Sequence, residues 1–267
     1  MMIGKIRIAL AFAVVATSTA VLAPLQLLAL KTGLWRETLM PRLWHRTIVR
    51  ALGFRVHTHG ALAAQRPLLV AANHVSWTDI VVLGSLADVN FIARADMQGW
   101  PLIGSLSRLQ RTVFVERERR RTSGSQAGEI AARLGSGDAM VLFAEGTTGD
   151  GNMVLPFKST LFGAASMAIS EGAAGEVFVQ PVAIAYTRLH GVPMGRRDRP
   201  LAAWIGDQDL GPHLLALLAE GAVDVEVHFG EPVTFSAASS RKETARLVGQ
   251  RVAELMRSAL DDRRPSR

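Results

Sequence analysis

The sequence predicts an α/β fold: a single domain with a mixed, largely parallel sheet flanked by helices, preceded by further helices at the N-terminus. Three observations predict it. Beyond about residue 60, apolar runs the length of buried strands alternate with longer stretches of helical period. Apolar residues make up 49% of the 267-residue chain, enough to cover both faces of a sheet. Residues 8–30 carry no charged side chain, a length that can cross a bilayer core.

The N-terminal apolar segment has three readings. Lys5 and Arg7 precede it, as in a cleaved signal peptide, but the apolar part is long for one and no polar, small-residue cleavage region follows. Pro24 and the mild hydrophobicity of Ala, Thr and Ser leave room for a bent helix that dips into one leaflet. A retained membrane anchor is preferred, then an interfacial or re-entrant helix, then a signal peptide. In the next segment Met40, Leu43, Trp44, Ile48, Ala51 and Leu52 share one helical face, while Arg42, Arg46 and Arg50 recur on another. Tryptophan on the apolar side and arginine on the polar side suit a headgroup layer. An ordinary amphipathic helix packed on the domain accounts for the pattern equally well. Basic residues after the apolar segment outnumber those before it, which by the positive-inside rule puts the C-terminal part on the cytoplasmic side of the inner membrane. The expected organisation is N-terminal membrane-anchoring helices over 1–58 and an α/β domain over 59–267.

Within that domain the expected strands are 68–72, 89–93, 112–115, 139–143, 177–185, 201–205 and 223–229. The expected helices are 76–87, 101–109 (with Pro101 in its first turn), 125–134, 159–170, 210–220 and 237–260. Strands separated by helices argue for crossover connections and a largely parallel sheet.

Composition narrows the function. With no cysteine, disulfides, a thiol nucleophile and cysteine-ligated metal sites are excluded. A net charge of +7 favours anionic partners, but aromatic residues at 6% are few for base stacking, so no nucleic acid is expected.

The most informative stretch is Asn73-His74-Val75-Ser76-Trp77-Thr78-Asp79, directly after the apolar run 67–72. A histidine at a strand end sits where a site can open, and a carboxylate in the following turn can orient it. Such a pair can take a proton from a hydroxyl so that the oxygen attacks an acyl group. The bland alternative makes Asp79 a first-turn helix acid, Ser76 a helix cap and His74 an ordinary loop residue. A second block, Phe143 to Gly151, ends a strand in Glu145, Gly146, Thr147 and Thr148; its backbone N–H groups and hydroxyls can cradle an anion, or it is a plain glycine-rich turn. A third, Arg111 to Arg117, delivers an arginine at a strand end that can hold an anion bidentately. A fourth is a strand carrying Pro181, expected at a cleft or sheet edge.

In this order the four blocks resemble the glycerolipid acyltransferase family that includes 1-acylglycerol-3-phosphate acyltransferase. Its NHxSxxD motif is matched by Asn73, His74, Ser76 and Asp79, and its second motif by Phe114, Val115, Glu116 and Arg117. FPEGTRS is matched by Phe143, Glu145, Gly146 and Thr147, and the proline strand loosely around Pro181. The resemblance covers about residues 65–190. It implies His74 as general base, Asp79 as its orienting partner, and acceptor binding by Arg117 and the turn Glu145–Gly146–Thr147. Asn73, Ser76 and Arg111 complete the expected substrate-binding set. The resemblance also implies acyl-CoA or acyl carrier protein as donor co-substrate, a lysolipid acceptor at a membrane, and no metal or other cofactor. Three positions depart from the family pattern: Ala144 and Thr148 stand where it has Pro and Arg, and Arg111 stands where it has glycine. Losing the arginine at 148 removes a phosphate ligand, which Arg111 replaces or a different acceptor makes unnecessary. The string FAEGTTGDGN followed by LPFKS resembles the branch that acylates lyso-ornithine lipid. Both acceptors stay open. The rivals are a serine-type lipid hydrolase with Ser76 as nucleophile, which lacks a GxSxG elbow, and a non-catalytic lipid-binding module, in which the HxxxxD and EGT pairing has no purpose.

Overall fold

The computed structural model describes residues 2–115, 123–206 and 208–261. Its frame is a nine-stranded sheet in the order β1-β8-β6-β2-β5-β3-β4, with β7 and β9 also paired to β6. The strands are β1 (Arg55–His59), β2 (Leu68–Ala72), β3 (Asn90–Arg94), β4 (Val113–Val115), β5 (Ala139–Phe143), β6 (Glu176–Leu189), β7 (Val192–Pro193), β8 (Val223–Phe229) and β9 (Val233–Ser236). β2, β3, β4, β5 and the first part of β6 run parallel, whereas β7, β8 and β9 run antiparallel to β6. The fold is the mixed, mostly parallel α/β sheet that the sequence predicts.

The central strands are apolar on both faces because both faces are covered. Every residue of β2 and β5 is buried. On one face lie α1 (Met2–Thr32), α2 (Leu39–Leu52), α3 (Thr78–Leu86) and α7 (Leu210–Glu220), around a core of Val70, Val141, Ile184 and Val225. On the other lie α5 (Ser123–Gly135), α6 (Gly163–Ser170) and α8 (Arg241–Asp261), around Leu69, Met140, Leu142 and Ala183. In α8 the residues Ala245, Val248, Val252, Met256 and Ala259 recur every three or four positions and form its buried stripe. A short helix, α4 (Ile103–Leu109), follows β3.

Several elements differ from the sequence expectation. Residues 201–205 are not a strand. A 3-10 turn over Arg199–Leu201 leads into a loop that is apolar because Ala202 and Ala203 are wholly buried in the core, and the Trp204 N–H donates to the Val75 carbonyl at 2.9 Å. Pro181 sits neither in a cleft nor at an edge. It stands where β6 changes neighbours, from β9 at Val179 to β8 at Val182, so its missing N–H costs no ladder bond. β1 escaped notice because its outward residues Arg55, His57 and His59 are polar and it lies at the sheet edge; residues 58 and 59 both fall within it.

α2 packs on the domain. His45, Ile48, Val49 and Leu52 face inward, and Gly53 ends the helix in the left-handed conformation at φ 74°. Arg42 reaches the Leu86 carbonyl at 2.6 Å and Asp88 at 3.3 Å, and Arg46 reaches the Ser85 carbonyl at 3.0 Å. Both arginines therefore complement the C-terminal carbonyls of α3. α1 is long and apolar enough to cross a membrane by length and composition, with a mean hydropathy of 2.1, and it leaves Leu10, Phe12, Val14 and Val21 exposed.

Ile184 sits wholly buried in the middle of the longest strand. Ile184→Ala is expected to destabilise the fold by about 2–5 kcal/mol, read as a lower urea midpoint at unchanged m-value.

Candidate active site

β2 ends at Ala72 and the chain turns outward through Asn73 and His74. Asn73 is turned into the sheet. Its side chain, 1% exposed, extends the β2–β6 ladder, donating from Nδ2 to the Ile184 carbonyl at 2.9 Å and accepting from the Ile184 N–H at 2.8 Å. The histidine after it is thereby held at the rim of the sheet.

The His74 Nδ1 and Asp79 Oδ2 are 2.8 Å apart, and Asp79 is 0% exposed. Asp79 Oδ2 also accepts the N–H groups of Val75 at 2.7 Å and Ser76 at 2.9 Å, and its Oδ1 accepts the Tyr186 hydroxyl at 2.7 Å. Four donors around one buried carboxylate keep it in place and make it an acceptor toward the imidazole. The hydrogen bond thus assigns the proton to Nδ1 and the lone pair to Nε2. The imidazole stacks on Phe143 with centroids 4.0 Å apart and planes 15° from parallel, which fixes its plane. The His74 side chain keeps 19% of its surface open.

Ser76 is fully buried, so its hydroxyl is not offered to a substrate. Its Oγ instead accepts the N–H of Thr78, the first residue of α3, in a long bond of 3.4 Å, while Asp79 takes the N–H groups of Val75 and Ser76.

The second block comes to the same rim because β2 and β5 are parallel neighbours. Glu145 is 2% exposed. Its Oε1 accepts the His74 N–H at 3.0 Å and its Oε2 the Leu155 N–H at 3.2 Å. Gly146 adopts φ 72°, and the chain returns so that the Gly149 N–H donates to the His74 carbonyl at 2.8 Å. The turn therefore grips the backbone of His74 on both sides. Thr147 is exposed and Thr148 partly so. Burial pushes the Glu145 carboxyl up from 4.5 to about 8, against the two N–H donors and with the Asp79 charge in the same direction as burial.

Arg111 is not brought to this rim. It precedes β4, whereas His74 and Glu145 follow β2 and β5, and in parallel strands these are opposite ends of the sheet, about 17 Å apart for strands this long. Its guanidinium pairs with Glu37 and lies 4.0 Å from Asp138. Arg117 lies outside the described residues.

Sequence reasoning missed three contributors. Tyr186 is 107 positions from Asp79 in the chain; only its lone aromatic hydroxyl in an apolar strand hints that it needs a buried partner. Arg199 is half-buried beside the site: its Nη1 donates to Asn152 Oδ1 at 2.8 Å, while its Nε has no hydrogen-bond partner among the described residues. Between them lies Gly151, where a Cβ would come 3.3 Å from Val75 and 3.8 Å from Arg199. Asp150 is held by the Asn152 backbone and side-chain N–H groups, both at 2.9 Å, which keep its carboxyl below the usual range. The third contributor is a cavity of about 280 Å³ lined by Trp77, Trp100 and Trp204 and by residues of α1, α2, α3, α4 and α7. Trp100 and Trp204 meet edge to face at 6.2 Å, and Trp204 is bound to the Val75 carbonyl, one residue from His74.

A family model described as an acyltransferase matches residues 53–185. The chain is 50% identical over 262 residues to a lyso-ornithine lipid O-acyltransferase of Rhizobium meliloti (strain 1021), covering 98% of this chain and 90% of that one. It is 54% identical over 259 residues to a protein of the same description from Brucella abortus (strain 2308), covering 97% of each. Among solved structures it resembles that of the 1-acyl-sn-glycerophosphate (LPA) acyltransferase from Thermotoga maritima, with a TM-score of 0.67 at 22% identity over 99% of this chain and 100% of that one, a likeness of fold.

Because the Glu145 carboxyl is raised in the fold, it binds its proton more tightly folded than unfolded. Its contribution to stability is full below about pH 4.5 and is lost as pH rises through about 8. Urea midpoints measured across that window should fall with pH in the wild type. Glu145→Gln should flatten the fall while lowering stability throughout, since an amide nitrogen cannot accept the second N–H.

Proposed function

The chain belongs to the acyltransferase family, and from that premise we propose that it transfers an acyl group from a thioester to the hydroxyl of lyso-ornithine lipid. The observation that carries the chemistry is the 2.8 Å contact between His74 Nδ1 and a wholly buried Asp79. With Nδ1 committed, Nε2 takes the proton of the acceptor hydroxyl as the oxygen attacks the thioester carbonyl. Asp79 steadies the imidazolium. The tetrahedral intermediate collapses, the carbon–sulfur bond breaks, and the thiolate recovers the proton from His74. No covalent enzyme intermediate forms, in keeping with a buried Ser76.

The donor is an acyl thioester of coenzyme A or acyl carrier protein. Its chain enters the apolar cavity past Trp77 and Trp204, beside His74. Glu145 acts as a positioning residue that holds the His74 backbone, and Thr147 stands at the open side of the same turn. α1 anchors the enzyme at the inner membrane with the α/β domain on the cytoplasmic side, which the surplus of basic residues after α1 supports.

The acceptor follows from the relatives' common description and from the surroundings of His74. Ornithine acylated on one amine keeps a carboxylate and an ammonium group. Thr148 stands where a phosphate-binding arginine is expected, and Arg199 with Asp150 offers instead one cation and one anion side by side. Arg199 Nε receives the headgroup carboxylate and Asp150 the ammonium. Lysophosphatidic acid satisfies only the first of these.

His74→Ala should lower transfer about 10²–10⁴-fold with the urea midpoint retained; undiminished turnover would refute the base assignment. Offered lyso-ornithine lipid and lysophosphatidic acid in parallel, the wild type should acylate the former faster, with product mass as readout. Arg199→Gln should raise the KM for lyso-ornithine lipid about 10–100-fold, the equivalent of a lost hydrogen bond to a charged group. Equal use of both acceptors, unchanged in the variant, would remove lyso-ornithine lipid as the preferred substrate.

A further inference from the structure

The cavity that Trp77 and Trp204 line has a feature that an unsubstituted alkyl chain does not explain. Most of its wall is carbon, yet His45 faces it from α2. His45 is 2% exposed, and among the described residues the one polar side chain that meets its ring nitrogens is that of Gln110. Burial pushes the imidazole down to about 4, and a side-chain hydrogen bond with Gln110 pulls the other way. The ring is therefore neutral near pH 7, with one nitrogen donating and one accepting. It is also tightly placed. A Cβ at Gly84 of α3 would come within 2.4 Å of His45 Cδ2, and Phe91 meets the ring edge-on at 6.3 Å.

A second polar group faces the same space. Gln26 of α1 is 2% exposed; its Nε2 donates to the carbonyls of Glu37 at 2.7 Å and Leu109 at 2.8 Å, while its Oε1 has no partner among the described residues. Gln110 completes the polar set in the cavity wall. Buried nitrogen and oxygen atoms without partners are uncommon, and each needs an occupant or a reason.

We propose that this cavity takes an acyl chain bearing a hydroxyl group along its length, and that His45, with Gln26 and Gln110, is the subsite that binds that hydroxyl. The inference rests on reading the cavity as the donor-chain site. A hydroxyl donates and accepts at once, which is what a neutral imidazole beside amide groups can match. A site built to hydrogen-bond a hydroxyl discriminates strongly against the analogue lacking it, because its own buried groups are then left unpaired. His45 meets α3 at Gly84, five residues past Asp79 and so about 7.5 Å further along the helix axis. The hydroxyl accordingly belongs in the interior of the chain and not beside the thioester.

The test compares ricinoleoyl and oleoyl thioesters, which differ by one mid-chain hydroxyl, with the same acceptor and with both coenzyme A and acyl carrier protein as carriers. The readout is the ratio of the two kcat/KM values within each enzyme. The wild type should favour ricinoleoyl by about tenfold or more. His45→Leu should bring the ratio to about one or below, and Gln110→Leu, at a less buried position, should lower it in part. A wild-type ratio at or below one, or a preference for ricinoleoyl that survives both substitutions, would overturn the subsite. If His45→Leu fails to fold, the wild-type and Gln110→Leu ratios still decide. Consumption of neither thioester by the wild type would instead overturn the acyltransferase reading beneath it.

Discussion

A carboxylate with no access to water must be surrounded by donors, and the four that Asp79 collects organise this end of the molecule. Two come from the backbone of the loop after β2, one from the imidazole and one from Tyr186 on β6. The loop can make those bonds only if it leaves the strand at Asn73, and Asn73 is fixed to Ile184 of the same β6. Strand, loop, helix and neighbouring strand are thus tied through one side chain, and the orientation of His74 is a consequence of that tie.

The glycine turn after β5 adds a second constraint. Glu145 holds the His74 N–H while Gly149 holds its carbonyl, so the histidine backbone is clamped on both sides by one loop. Gly146 makes this possible by turning the chain at positive φ. The two acids of the site divide the work by environment: Asp79, ringed by donors, orients the imidazole, and Glu145, raised by burial, holds the loop.

The N-terminal helices contribute more than an apolar surface. α1 and α2 close one side of the cavity, and two of the three arginines of α2 that a membrane reading assigns to headgroups, Arg42 and Arg46, are spent on the carbonyl end of α3. The same helices carry His45 and Gln26 into a space whose wall is largely carbon. The cavity and the exposed apolar residues of α1 thus lie on one side of the sheet.

Much of this was legible in the chain. Apolar runs at strand length located β2 and β5, because strands covered on both faces need apolar residues at every position, and the alternation of Val223, Val225 and Val227 located β8. The His74 to Asp79 spacing and the EGT turn marked the site, because strand ends and the turns that follow them are local in sequence. The run 201–205 misled, since burial of Ala202 and Ala203 in a loop looks the same in sequence as burial in a strand. Arg111 also misled, although the polarity of a parallel sheet, with sites at the carboxyl ends of the strands, was a signal against it. By itself the sequence determined the sheet, the pairing of His74 with Asp79 and the apolar first helix. Only the tertiary structure decided that Tyr186, Arg199 and His45 join them, because their partners lie far away in the chain and a one-dimensional pattern carries no record of which distant donors a buried acceptor will find.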